Sequence, residues 1–187
     1  AGQFRRWADD PRAGMSAGLL AGYRVLDLGG ALGAACGRFL ATLGAEVVKV
    51  EPPGGDPART DAHGRADPAW IARNLGKRSV VLDLDSPDLK ALAAKADILI
   101  DALPASRRAA LGLDHETLAK TNPGLIGVSI TPFGSAGPYA DWAGGELVCS
   151  ALGGTLAVTG YPDRAPVKEA ADACVFHANG SAAAGAL

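Results

Sequence analysis

The glycine-rich segment Gly29-Gly30-Ala31-Leu32-Gly33 directly follows the short apolar run Arg24-Val-Leu-Asp-Leu28 and opens a stretch with helical spacing. A tight glycine turn between a strand and a helix presents backbone N–H groups to a phosphate, and Glu51, 22 residues after Gly29, falls near where a ribose-binding acid would stand. The dinucleotide fingerprint G-x-G-x-x-G is nevertheless unmet. Counted from Gly29 it needs glycine at 31 and 34, where alanine stands, and counted from Gly30 it meets Leu32 and Ala35. An NAD(P)-dependent oxidoreductase therefore remains only an alternative reading. Cys36, Cys149 and Cys174 are odd in number, far apart and set in apolar segments, and His63, His115 and His177 are equally scattered. The expectation is three free, buried thiols and no metal site.

Arg24–Leu28 reads as a buried strand, Ala31–Leu43 as a helix stopped by Gly44, and Ala45–Glu51 as a second strand. Residues 52–68, rich in Pro, Gly and Asp, read as a loop long enough to carry function. Strands at 79–84, 97–101 and 125–131 follow, with helices from Ser86-Pro87 to Lys95 and from Asp114 to Lys120. After a second loop, 132–143, come a helix near 145–152 and a final apolar helix from about Ala170. The alternation predicts an α/β, Rossmann-like parallel sheet with helices on both faces. Ligands of such sheets bind beyond the carboxyl ends of the strands. Residues 1–21 are read as an N-terminal extension and 22–187 as one domain, incomplete at its C-terminus. The final helix contains one charged residue, Asp172, so its partners are expected in further sequence or another chain.

Several segments, in order, resemble the class III CoA-transferase family, which includes formyl-CoA transferase, the carnitine CoA-transferases and α-methylacyl-CoA racemase. They are Gly22-Tyr-Arg-Val-Leu-Asp-Leu28, Leu43-Gly-Ala-Glu-Val-Val-Lys-Val-Glu51-Pro52, and Gly54-Gly55-Asp56 with Arg59. Next come Asn74-Leu-Gly-Lys77-Arg78-Ser79-Val-Val-Leu-Asp-Leu84, Leu111-Gly-Leu113, Thr121-Asn-Pro-Gly-Leu-Ile126 and Gly137-Pro138-Tyr139. The resemblance implies coenzyme A or acyl-CoA as ligand, without a metal, and two interlocked subunits: a homodimer or a companion CoA-transferase half. It implies an enzyme aspartate that attacks a thioester to give a mixed anhydride, then an aspartyl-CoA thioester resolved by the acceptor acid. Of the CoA-contacting scaffold it retains Gly33, Leu82, Asp83, Leu84 and Tyr139.

The departures concern chemistry. By the family spacing the nucleophile lies nine residues after Pro166, and residue 175 is valine. Asp172, one helical turn earlier, and Glu146, which the resemblance aligns with a transferase glutamate, are the remaining candidate catalytic carboxylates. Asp172 reads alternatively as a first-turn acid favoured by the helix dipole. Gly145 replaces both that glutamate's aromatic neighbour and the histidine of the racemase branch. Leu32 stands where formyl-CoA transferase has glutamine, and Asp101-Ala-Leu-Pro-Ala-Ser106 replaces a more polar and basic stretch. Lys77 and Arg78 read either as phosphate ligands or as a solvated pair, and Tyr139 with Trp142 either covers a ligand or plugs the domain edge. His177 reads as buried or helix-facing.

The 187 residues carry 18 Lys+Arg against 20 Asp+Glu, a formal net charge of −2, with 25 Gly. No basic run suits nucleic acid or an anionic membrane, and no apolar run reaches the roughly 20 residues of a membrane span. The expected setting is cytoplasmic. The expected function is a family III CoA-transferase domain that binds acyl-CoA and lacks the standard aspartyl nucleophile, a degenerate or scaffolding half. The alternative is an active acyl-CoA:carboxylate CoA-transferase using a displaced carboxylate.

Overall fold

The computed structural model describes residues 18–169 and 173–187. Five parallel strands, β1 (Arg24–Leu28), β2 (Glu46–Glu51), β3 (Arg78–Val81), β4 (Ile98–Asp101) and β5 (Ile126–Ser129), form one sheet in the order β3-β2-β1-β4-β5. Leu26 pairs with Val48 on one side and Leu99 on the other, so β1 is central and the order reverses between β1 and β4. That reversal opens the crevice where such sheets take ligands.

The two-residue period of the strands divides their side chains between two cores. Val25, Val47, Ile98 and Ile100 point to α1 (Gly30–Thr42) and α8 (Ala173–Gly185). Leu26, Leu28, Val48, Val50 and Leu99 point to α3 (Pro87–Ala93), with Leu118 of α5 (His115–Ala119) in the same cluster. Helices thus cover both faces, as the alternating sequence pattern demands.

The helix α1 lies close to the sheet because its inner face is built from small residues. A Cβ on Gly33 would sit 3.6 Å from Ile100 Cγ2, and one on Gly37 only 2.5 Å from Asp27 Oδ2. The final helix, α8, finds a partner within this chain, which corrects the expectation that its contacts lie wholly elsewhere. Asn179, Ala183 and Ala186 are buried against α1, and Phe176 meets Phe39 edge-on at 5.1 Å. Phe176 nevertheless stays about half exposed, as does Leu187 just beyond the helix.

Three further helices were not expected. The helix α2 (Pro68–Asn74) is capped by Asp67, whose carboxylate accepts the Ala69 and Trp70 amides, with proline at its first position. The helices α4 (Ala105–Ala110) and α7 (Thr155–Val158) lack an apolar repeat long enough to show. The expected strand at 79–84 ends at Val81, which releases Leu82–Leu84 into the crevice. A buried Leu20 already packs in the α1/α8 core.

Candidate functional site

A cleft of about 510 Å³ opens at the carboxyl ends of β1, β2 and β3. Leu28 and Gly30 form one wall, the end of β2 with Pro52 and Pro53 a second, Leu82-Asp83-Leu84-Asp85 a third, and Arg107 and Leu111 close it. Leu82, Asp83 and Leu84, read from the resemblance as CoA contacts, line this cleft. Gly33 and Tyr139 do not line this cleft. Gly33 lies within α1, on its sheet-facing side against Ile100 and Ile130. Tyr139 is half-exposed and belongs to an aromatic group with Trp142, at 4.6 Å, and Phe133, at 6.3 Å. Arg107 escaped the sequence reading. Of the two cations among the described lining residues, Lys49 is buried and bound to Asp56 at 3.1 Å, which leaves Arg107 as the exposed one.

Beneath the cleft runs a charged network that fixes the β2 end. The Glu51 carboxylate is buried and accepts both Arg59 Nε, at 2.7 Å, and Arg59 Nη2, at 2.5 Å, together with the Asp56 amide at 2.9 Å. These hydrogen bonds, chiefly the one from Arg59, hold its pKa down at about 2. A carboxylate so engaged has little left for a ribose, which weakens the dinucleotide alternative. Burial pushes Asp56 up, but bonds from the Trp70 indole, the Ala58 amide and Lys49 outweigh it and leave the carboxyl below its usual range. The Arg59 guanidinium also lies 4.1 Å above the Trp70 ring.

Lys77 is neither a phosphate ligand nor a solvated group here. Its ammonium, 2% exposed, bonds Asp27 Oδ2 at 2.6 Å, the Ala34 carbonyl at 2.6 Å and Asn74 Oδ1 at 2.9 Å. Burial lowers its pKa, and the Asp27 charge opposes that shift. Asp27 Oδ1 in turn accepts the Gly29 amide at 2.8 Å, so the pair holds the glycine turn in place. Arg78 pairs with Glu46. On the opposite face, Asp101 accepts Ser129 Oγ at 2.7 Å, the Leu103 amide and Arg108.

Val175 lies in the first turn of α8 and offers no lone pair. Glu146, the first residue of α6 (Glu146–Leu152), reaches that turn: Oε1 accepts the Cys174 amide at 2.7 Å and Ser150 Oγ at 3.3 Å, and Oε2 accepts the Val175 amide at 2.9 Å. Its carboxylate supplies acceptors to amides that a helix start leaves unpaired. Asp172 lies outside the described residues. His177 is exposed, not buried, because it faces away from the α1 contact.

The cysteines are free, as expected, but only Cys36 is buried. Burial pushes the Cys36 thiol up to about 12 and also raises Cys149 and Cys174, so none is primed as a thiolate. No cluster of three metal-ligating side chains occurs among the described residues.

A switch-point cleft walled by Leu-Asp-Leu after β3, on a β3-β2-β1-β4-β5 sheet, defines an open α/β fold of the doubly wound kind. The sequence pattern of CoA-transferase family III matches residues 20–187, and the chain belongs to that family. It is 40% identical over 164 residues to a succinate–glutarate CoA-transferase of Agrobacterium fabrum, covering 80% of this chain and 41% of that protein. It is 36% identical over 157 residues to the beta subunit of a succinyl-CoA–L-malate CoA-transferase of Chloroflexus aurantiacus, covering 79% of this chain and 39% of that one. A CaiB/BaiF family protein from Brucella suis superposes with a TM-score of 0.78 at 34% identity, over 88% of this chain and 49% of that one. The chain thus spans about 40% of the length of these curated relatives.

Proposed function

We propose that this chain binds acyl-CoA in the cleft beneath Leu82-Asp83-Leu84 and does not itself supply the carboxylate nucleophile of CoA transfer. It then serves as a scaffolding half beside a second copy or a companion chain. One observation carries the reading: Val175 occupies the expected nucleophile position, and both oxygens of Glu146, the nearby described carboxylate, are taken up by the first turn of α8. A carboxylate that attacks a thioester carbonyl must present a lone pair to it. Three of the roughly four lone-pair sites of Glu146 are already taken, by the Cys174 and Val175 amides and by Ser150 Oγ, and these bonds hold the group against the start of α8. The two-subunit organisation named for the malate CoA-transferase relative supports a companion half. The exposed Arg107 at the cleft suits the phosphates of CoA, and Gly33, on the sheet-facing side of α1, would act on the ligand only through the glycine turn. Tyr139 would cover the ligand from the 132–143 loop. Among the described residues no helix is long and apolar enough to cross a membrane.

The test has two arms. In thermal unfolding, CoA and succinyl-CoA are expected to raise the midpoint and NAD(P) to leave it unchanged; a shift with NAD(P) alone would overturn the ligand assignment. Incubation with acyl-CoA and a dicarboxylic acid, followed by hydroxylamine trapping and peptide mass spectrometry, is expected to find Asp172 and Glu146 unmodified. An adduct on Asp172 would establish the active, displaced-carboxylate enzyme instead.

A further inference from the structure

Asn179 is fully buried, and each of its polar atoms is engaged. Oδ1 accepts the Cys36 amide at 2.8 Å, while Nδ2 donates to the Leu32 carbonyl at 2.6 Å and the Val175 carbonyl at 2.7 Å. Leu32 C=O and Cys36 N–H are the i and i+4 groups that an α-helix joins to each other. The Asn179 carboxamide offers the matching acceptor and donor, and so enters the first turns of α1 as a peptide group would. Ala183 and Ala186 pack the same two helices together without any polar atom. A buried amide is costly unless satisfied, and what it adds is register: α8 can meet both Leu32 and Cys36 in one rotation and one translation only.

The same side chain reaches residue 175. The Val175 carbonyl is held by Asn179 and its amide by Glu146, so the backbone of that residue is tied to α1 on one side and to α6 on the other. The glycine turn at the start of α1 is itself tied to Asp27, and Asp27 to Lys77. A continuous set of hydrogen bonds therefore fixes residue 175 with respect to the switch point.

We propose that Asn179 is a positioning residue that sets the first turn of α8 against the glycine turn, and so sets where the thioester end of the bound ligand meets residue 175. This rests on the reading of the cleft as an acyl-CoA site. Loss of the carboxamide should then disturb recognition of the acyl end more than recognition of CoA itself.

The whole chain carrying Asn179→Leu, which keeps the branching at Cγ but is apolar and bulkier, or Asn179→Asp, which keeps the acceptor and removes both donors, supplies the test. Amide hydrogen exchange is followed at residues 174–176 and at 25–28, and the affinities for CoA and succinyl-CoA are measured by calorimetry. Either folded variant is expected to exchange at least tenfold faster at 174–176 with 25–28 unchanged. It is also expected to lose at least fivefold in succinyl-CoA affinity and less than twofold in CoA affinity. Equal losses for both ligands, or none, in a folded variant would show that Asn179 only packs, and would overturn the proposal. Should the unsubstituted chain bind neither ligand, the acyl-CoA reading fails by itself. Positioning of the α8 turn is then decided by exchange alone, and unchanged exchange at 174–176 overturns it. If the leucine variant does not fold, the aspartate variant gives the same readings.

Discussion

At the scale of single residues, two buried charges dominate. Lys77 bonds Asp27, a backbone carbonyl and Asn74, so the pair is fully satisfied where an unpaired ion would be severely penalised. Replacing Lys77 by Met leaves the Asp27 carboxylate buried against the Gly29 amide alone. The expected cost is about 3–5 kcal/mol, read as a lower denaturation midpoint at unchanged m-value. Glu51 titrates at about 2 in the folded protein against an ordinary 4.5. Its contribution to stability is therefore present above about 4.5 and is lost as the pH falls toward 2. Arg59→Gln removes the main cause of that shift. The stability gap between wild type and variant, from urea titrations at several pH values, should be widest near neutrality and close as the pH approaches 2. The identity of Glu51 was visible in the sequence, and so was its distance from Gly29. Its commitment to Arg59 was not, because hydrogen-bond partners eight residues apart across a turn leave no period to read.

At the scale of elements, long apolar runs were legible and short polar helices were not. The strand at Arg24–Leu28 and the helix at Gly30–Thr42 lie within one residue of their expected bounds because β-branched or leucine-rich runs and a 3.6-residue period are strong signals. The helix at Pro68–Asn74 was missed where the supposed loop 52–68 ends, although Asp67-Pro68 is a cap followed by a first-turn proline. Arg107 was missed with α4 for a similar reason, since Ala105–Ala110 has six residues and no apolar face to bury. The contact between α6 and α8 supplies the prediction at this scale. Glu146→Ala removes the acceptors at the start of α8, with an expected loss of about 1–2 kcal/mol, the order of other helix caps. Hydrogen exchange at the Cys174 and Val175 amides should accelerate more than at the β1 amides. A uniform acceleration would indicate general destabilisation instead.

At the scale of the whole molecule, the sheet is covered on both faces, yet Leu147, Leu152, Val158 and Phe176 of α6, α7 and α8 remain at least half exposed. Apolar surface gathered on consecutive elements favours association. Sedimentation of the chain should show concentration-dependent self-association, and the double variant Leu152→Glu, Val158→Glu should shift it toward monomer; unchanged sedimentation of the variant would place the contact elsewhere. Sequence alone determined the α/β class, the strand that leads into the glycine turn, and the absence of a carboxylate at residue 175, because these depend on residue type and local period. Tertiary structure decided which groups are free to act. Lys77, Glu51 and Glu146 all carry charge in the sequence, and packing spends each on an internal partner: Asp27, Arg59 and the first turn of α8. Such pairings join positions up to 50 residues apart through a sheet whose strand order is not the chain order, so no local pattern could announce them.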